Sequence, residues 1–197
     1  MIIIARFLLG IGSAFAFVGV LIGLAGMMIV NALAFQLCWF ACVLGGSYAA
    51  LLAVGLFALW HLPGTRKPEW LLLTMVTLCG LLWDTLLMHL GVIRFTQPQL
   101  LIPLWLVLLW LAFAMTLWHS LAWCSRRLWL AAPCGAVAAP LSYYAGSQLG
   151  ALELNSYALP VISSGWALLM SGVAVVTGKY GIPGHSRSFV SGEPQDD

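Results

Sequence analysis

Polar positions are so sparse in this chain that they serve mainly as breaks between apolar runs. No charged residue occurs between Arg6 and Arg66, a stretch of 59 residues. As one helix that stretch would be ~90 Å long at about 1.5 Å per residue. About 20 apolar residues suffice to cross a hydrocarbon core of roughly 30 Å, so it must fold into two or three crossings. Gly23–Met28 is a weak interruption, with Asn31 just beyond it, and Gly45-Gly46-Ser47 is a second. Glycine accepts positive φ, which favours a tight turn at the latter. The pattern predicts helices over about 3–25, 29–45 and 47–62. Were the last two a single helix, it would be ~50 Å long and mismatched to a bilayer.

Downstream the boundaries are clearer. Pro63-Gly64-Thr65-Arg66-Lys67-Pro68 reads as a loop, and a fourth helix is predicted from Glu69 to Leu90. Arg94–Gln99 separates it from a fifth helix over Leu100–Trp123, closed by Ser125-Arg126-Arg127. A sixth helix covers Leu128–Leu149, Glu153 and Asn155 mark the next loop, and a seventh covers Tyr157–Thr177. The expected fold is an all-α, polytopic transmembrane helical bundle of six or seven spans. Three regions are expected: an extra N-terminal hydrophobic helix over 1–27, the bundle over 28–178, and a polar, mobile tail over 179–197. Ala14-Phe15-Ala16 fits a signal cleavage pattern, but apolar sequence continues to Met28, so the first helix reads as uncleaved. Translation from Met27 or Met28 would instead give six helices with both ends cytoplasmic.

Composition agrees with this reading. Hydrophobic residues make up 62% of the 197, charged residues only 7%, and mean hydropathy is +1.01. A soluble domain carries roughly 25% charged residues, so an ordinary cytosolic enzyme is excluded. Intrinsic disorder needs the opposite composition, and a net charge of +2 builds no nucleic-acid-binding face. With seven crossings, Arg66, Lys67, Arg126, Arg127, Lys179 and Arg187 share one side, against Arg6 and Arg94 on the other. Positive charge collects in the cytoplasm, which puts the C-terminus there. Cys38, Cys42, Cys79, Cys124 and Cys134 lie in or at the ends of predicted helices and read as packing thiols. Cys38 and Cys42 share a helix face, where a disulfide is unfavourable.

Ionisable groups inside lipid are costly and usually face a bundle interior. Asp84 stands out, 15 residues after Glu69 and so about 22 Å along its helix. Tyr143 of the sixth helix lies at a similar depth, with His89, Ser142, Tyr144 and Gln148 near the same outer level. Asp84, His119 and Tyr143 form the candidate intramembrane polar site, read either as a proton or cation site or as a structural carboxylate. His61, Glu69 and His119 share a depth near the cytoplasmic face. Two imidazoles and a carboxylate suit metal binding or proton transfer. Nothing in the spacing makes them meet, so no metal and no cofactor is assigned. Asn31 and Gln36 read as polar packing between helices, with Asn31, Phe35, Cys38, Trp39 and Cys42 on one stripe. Gly135, Ala136, Ala139 and Gly146 suit close helix contact, and Pro140 is expected to kink its helix and free carbonyls.

Phosphate-loop, dinucleotide-binding and nucleophile-elbow motifs are absent. Helices 2–4 and 5–7 do not match in polar pattern, so no repeat is evident. From Asn31-Ala-Leu-Ala-Phe-Gln-Leu-Cys-Trp-Phe-Ala-Cys-Val-Leu-Gly-Gly46 onward, however, the chain resembles a family of bacterial inner-membrane proteins known only as a domain of unknown function. Glu69-Trp70, Asp84-Thr85, Pro103-Leu-Trp105, Trp118-His119-Ser120-Leu-Ala-Trp123 and Gly135 through Gly146 carry the rest of the resemblance, over about 29–178. It implies a multi-pass protein of the bacterial inner membrane. Members resemble genes found beside fatty-acid-modifying methyltransferases, which implies a place in membrane-lipid metabolism.

Three functions are expected in order: an accessory or lipid-binding component of that metabolism, a small proton-coupled transporter using Asp84, and a membrane-embedded enzyme using His61, Glu69 and His119. Whether the chain is an enzyme stays open, as does its oligomeric state. The expected partners are the bilayer and a membrane lipid, not nucleic acid.

Overall fold

The computed structural model describes residues 2–97 and 99–180, with only the helical backbone of 2–22, 24, 179 and 180 described. Of the predicted tail, residues 179 and 180 continue the last helix, and 181–197, with Arg187, lie outside the described residues. The fold is all-α apart from two two-residue strands. Three helical stretches are long and apolar enough to cross a membrane: Ala25–Gly64, Lys67–His89 and Ala158–Gly178. Leu56, Leu59, Leu82 and Leu168 point outward, at least two-thirds exposed. Such faces suit lipid, because they would be a liability in water.

The first helix, α1, spans Ile2–His61 with one non-helical residue inside it, Gly46 at φ 61 and ψ −156. That conformation is essentially closed to residues with a Cβ. A Cβ on the adjacent Gly45 would also lie 2.3 Å from the Ala49 Cβ. The chain reverses here. Asn31 bonds to Met115 and Ser120, while His61 stacks edge-on against His119. Both ends of a 30-residue stretch that would measure ~45 Å if straight thus touch one short segment. The predicted break at Gly45–Ser47 is therefore a helical hairpin. The predicted break at Gly23–Met28 is not there, since helical backbone runs through it. Glycine is tolerated inside membrane helices, so these two glycines end nothing. The separate helix expected over 1–27 is continuous with the one after it.

Helix α2 spans Lys67–His89 and α5 spans Leu128–Gln148, close to prediction. Each starts beside a basic pair, Arg66-Lys67 or Arg126-Arg127, and each ends on a positive-φ glycine, Gly91 or Gly150. At each end the glycine N–H and the next N–H reach back to the last turn, the pattern that satisfies final carbonyls. A two-residue strand then follows, β1 (Ile93–Arg94) or β2 (Glu153–Leu154). The strands pair antiparallel, Ile93 opposite Leu154 and Arg94 opposite Glu153. Asn155 adds bonds to the carbonyls of Gly91 and Val92. The same helix–glycine–strand pattern thus closes both α2 and α5.

The helix expected over 100–123 is broken. Helix α3 covers only Leu104–Ala114, turns occupy Met115–Leu121, and α4 is the short Ala122–Ser125. Non-helical backbone at membrane depth needs its polar groups satisfied by protein. Asn31 Nδ2 donates to the Met115 carbonyl at 3.2 Å, and Ser125 Oγ to that of Leu117 at 2.6 Å. Thr177 Oγ1, on α6 (Ala158–Tyr180), donates to the Ser125 carbonyl at 2.6 Å.

Close packing elsewhere is set by glycines lying under tryptophans. A Cβ on Gly80 would lie 1.9 Å from the Trp110 ring, and one on Gly165 would lie 2.1 Å from that of Trp83. One on Gly135 would sit 2.6 Å from the Trp166 carbonyl oxygen. Gly146 has no such neighbour. Pro140 lies within continuous helix rather than at a break. The carbonyl it leaves without a partner, that of Ala136, accepts Ser163 Oγ from α6 at 2.7 Å.

Candidate functional site

Two polar clusters lie at opposite depths of the bundle. The first is at the basic end. His61 closes α1, Leu62–Gly64 forms a single 3-10 turn, and Glu69 sits in the first turn of α2. A carboxylate there is favoured by the helix dipole, but this one turns to the imidazoles. His61 Nε2 is 3.0 Å from Glu69 Oε1, and His119 Nδ1 is 3.5 Å from the same oxygen. The two rings meet edge to face at 4.6 Å. The side chains of His61 and Glu69 are 1% and 9% exposed, that of His119 31%. The three residues that spacing alone could not bring together are therefore in mutual contact.

His119 is placed by the broken segment, and Asn31 staples that segment. Its Oδ1 accepts Ser120 Oγ at 2.7 Å and Ser120 N–H at 3.4 Å. Asn31→Ala removes three bonds, at about 0.6 kcal/mol each on average for polar contacts inside membranes. A loss of about 2 kcal/mol is expected, with faster amide exchange over 115–121 in lipid nanodiscs. Exchange unchanged there would contradict the stapling role. Gln36 is exposed and takes no place in this packing, whereas Asn31, Cys38, Trp39 and Cys42 are buried as the stripe predicted.

The second cluster surrounds Asp84, which is fully buried. Trp110 Nε1 on α3 donates to Oδ2 at 2.7 Å, and Tyr143 OH on α5 donates to Oδ1 at 2.5 Å. One carboxylate thus ties α2, α3 and α5. His119, grouped with Asp84 and Tyr143 from sequence, belongs to the other cluster. It contacts Glu69, about 22 Å along α2 from Asp84. Tyr144, Gln148 and His89 face outward.

Beside this clamp lies a cavity of about 240 Å³. Phe35, Trp39, Trp110, Phe113, Tyr143 and Trp166 give it an aromatic lining. Trp39 Nε1 donates to Ser142 Oγ at 2.9 Å, and Trp110 stacks on Trp166 at 4.6 Å. Sequence reading missed Trp110 and Trp166. The available signal was Gly80, one turn before Asp84, which leaves room for a large partner.

Residues 28–172, well over half of the chain, match the family described as "protein of unknown function (DUF2878)". No curated protein and no solved structure matches the chain.

Proposed function

The chain belongs to the DUF2878 family of unknown function, and from that premise we propose that it is a multi-pass membrane protein that holds a lipid acyl chain in its aromatic cavity. The observation carrying this reading is the cavity itself, an apolar, aromatic enclosure with few polar groups, as ligand sites commonly are. Ala138 lines it and is also exposed, which gives an acyl chain a lateral entrance. Six segments serve as crossings: 29–45, 47–61, α2, α3 with α4, α5 and α6. Residues 28–178 form the bundle, preceded by the hydrophobic 1–27 and followed by a polar tail. The basic end faces the cytoplasm of a bacterium, in the inner membrane, because Arg66, Lys67, Arg126 and Arg127 gather there. The biological role is in membrane-lipid metabolism.

Native mass spectrometry of the detergent-purified protein is expected to find one lipid class enriched over the host membrane. Ala138→Phe should cut that retention several-fold while leaving thermal unfolding unchanged. Retained lipid that mirrors the bulk composition, or is indifferent to Ala138→Phe, would sink the reading.

The broken Met115–Leu121 segment favours a second reading, a proton-coupled carrier, since interrupted helices build many transport sites. Against it, both Asp84 oxygens already hold donors from the protein. Transport in proteoliposomes abolished by Asp84→Asn, with the fold intact, would support the carrier.

A further inference from the structure

The cluster at the basic end has a donor set that neither the cavity nor the Asp84 clamp uses. We infer that His61, Glu69 and His119 bind one divalent transition-metal ion of the zinc or iron class, leaving an outward coordination position open. The inference is independent of the lipid reading.

The donors are two imidazole nitrogens and one carboxylate oxygen, a set used where a metal keeps a site for water or substrate. One ligand atom from each residue lies within 4.8 Å of the other two. Three ligands of a tetrahedral ion with bonds near 2.1 Å lie about 3.4 Å apart. Both imidazoles already stand at 3.0 and 3.5 Å from the Glu69 oxygen, so only the two imidazole nitrogens must approach, by up to about 1.4 Å. The three donors come from three elements: the end of α1, the first turn of α2 and the turn after α3. The ion would join them as a crosslink.

Two further observations point to a ligand. His119 Nδ1 is buried yet has no hydrogen-bond partner among the described residues. It also faces the Glu69 oxygen already shared with His61. A buried polar atom without a partner is costly, and coordination to a metal would satisfy it. The exposure is graded as well. His61 and Glu69 are enclosed, while His119 is open to solvent at 31%, so any free coordination position faces outward.

The test uses the full chain, purified without a polyhistidine tag, stripped with chelator and dialysed against Zn(II). Elemental analysis is expected to find one zinc per chain, and Co(II) in its place should give the visible absorption of a low-coordinate site. Glu69→Gln keeps the size and hydrogen-bonding capacity of the side chain, and His119→Ala removes a half-exposed ring. Each should lower zinc affinity at least 10-fold with unfolding midpoints close to wild type. A parallel anaerobic dialysis against Fe(II) ranks the two ions. If wild type binds neither ion, or both variants bind as wild type does, the site does not exist.

Discussion

Gly80→Ala is expected to destabilise the protein by about 3 kcal/mol, although the same change in an open stretch of helix stabilises. On helix propensity alone, alanine gains about 1 kcal/mol over glycine. Here the added methyl would sit 1.9 Å from the Trp110 ring. Overpacking costs about 1–3 kcal/mol, and a displaced Trp110 also loses its bond to Asp84, worth up to about 1.7 kcal/mol in a membrane. The steric term wins. Gly172→Ala is the control, since nothing lies within 4 Å of its added carbon, and it should be neutral or stabilising. Denaturant unfolding of both variants in the same detergent checks the opposite signs. The double variant Gly80→Ala/Trp110→Ala should cost less than the sum of its singles, because the clash is counted in only one of them. Strict additivity would mean that Trp110 is not what the methyl meets.

Asp84→Ala is the second large effect. It leaves the Tyr143 hydroxyl and the Trp110 indole N–H buried without an acceptor. Each orphaned donor costs about 1–3 kcal/mol, and alternative partners in the membrane-embedded unfolded state pull the figure to the low end. A loss of about 3 kcal/mol is expected. Asp84→Asn keeps one good acceptor and should lose about half as much. Removing the second partner is diagnostic. Tyr143→Phe in the Asp84→Ala background should recover stability, since a missing pair is cheaper than a half pair. Reversible unfolding in mixed micelles measures all three. Wild-type stability for Asp84→Ala would show that the carboxylate is no clamp.

Local chemistry explains which features could be read from sequence. The Gly45-Gly46 turn was legible because a positive φ and a 2.3 Å approach each demand glycine, and both demands are written in adjacent residues. The limits of α2 and α5 were legible because basic pairs precede them and the polar stretches at Arg94–Gln99 and at Glu153 and Asn155 follow them. The Asn31–Cys42 stripe followed from helical spacing. The break after Ala114 was not legible. Met115–Leu121 holds neither glycine nor proline, and the partners that compensate it, Asn31, Ser125 and Thr177, are scattered along the chain. Tertiary satisfaction of freed carbonyls replaced local propensity there. The pairing of Asp84 with Trp110 was hidden for the same reason, since one side chain states a need and a distant one meets it. For His61, Glu69 and His119, depth along the helices was readable, but contact required knowing that α3 unwinds.

The paired strands β1 and β2 have a mechanical consequence. They fasten the far ends of α2 and α5 by backbone hydrogen bonds, which resist sliding far more than tilting. The clasp therefore acts as a fulcrum, with the basic end as the long arm of the lever. Glu69 stands ~36 Å from it, so a tilt of about 5° there moves the carboxylate by about 3 Å. That travel is comparable to the 3.5 Å between Glu69 on α2 and His119 in the turn after α3. Asp84, bonded to Trp110 and Tyr143 between the clasp and Glu69, is the brace that limits such rocking.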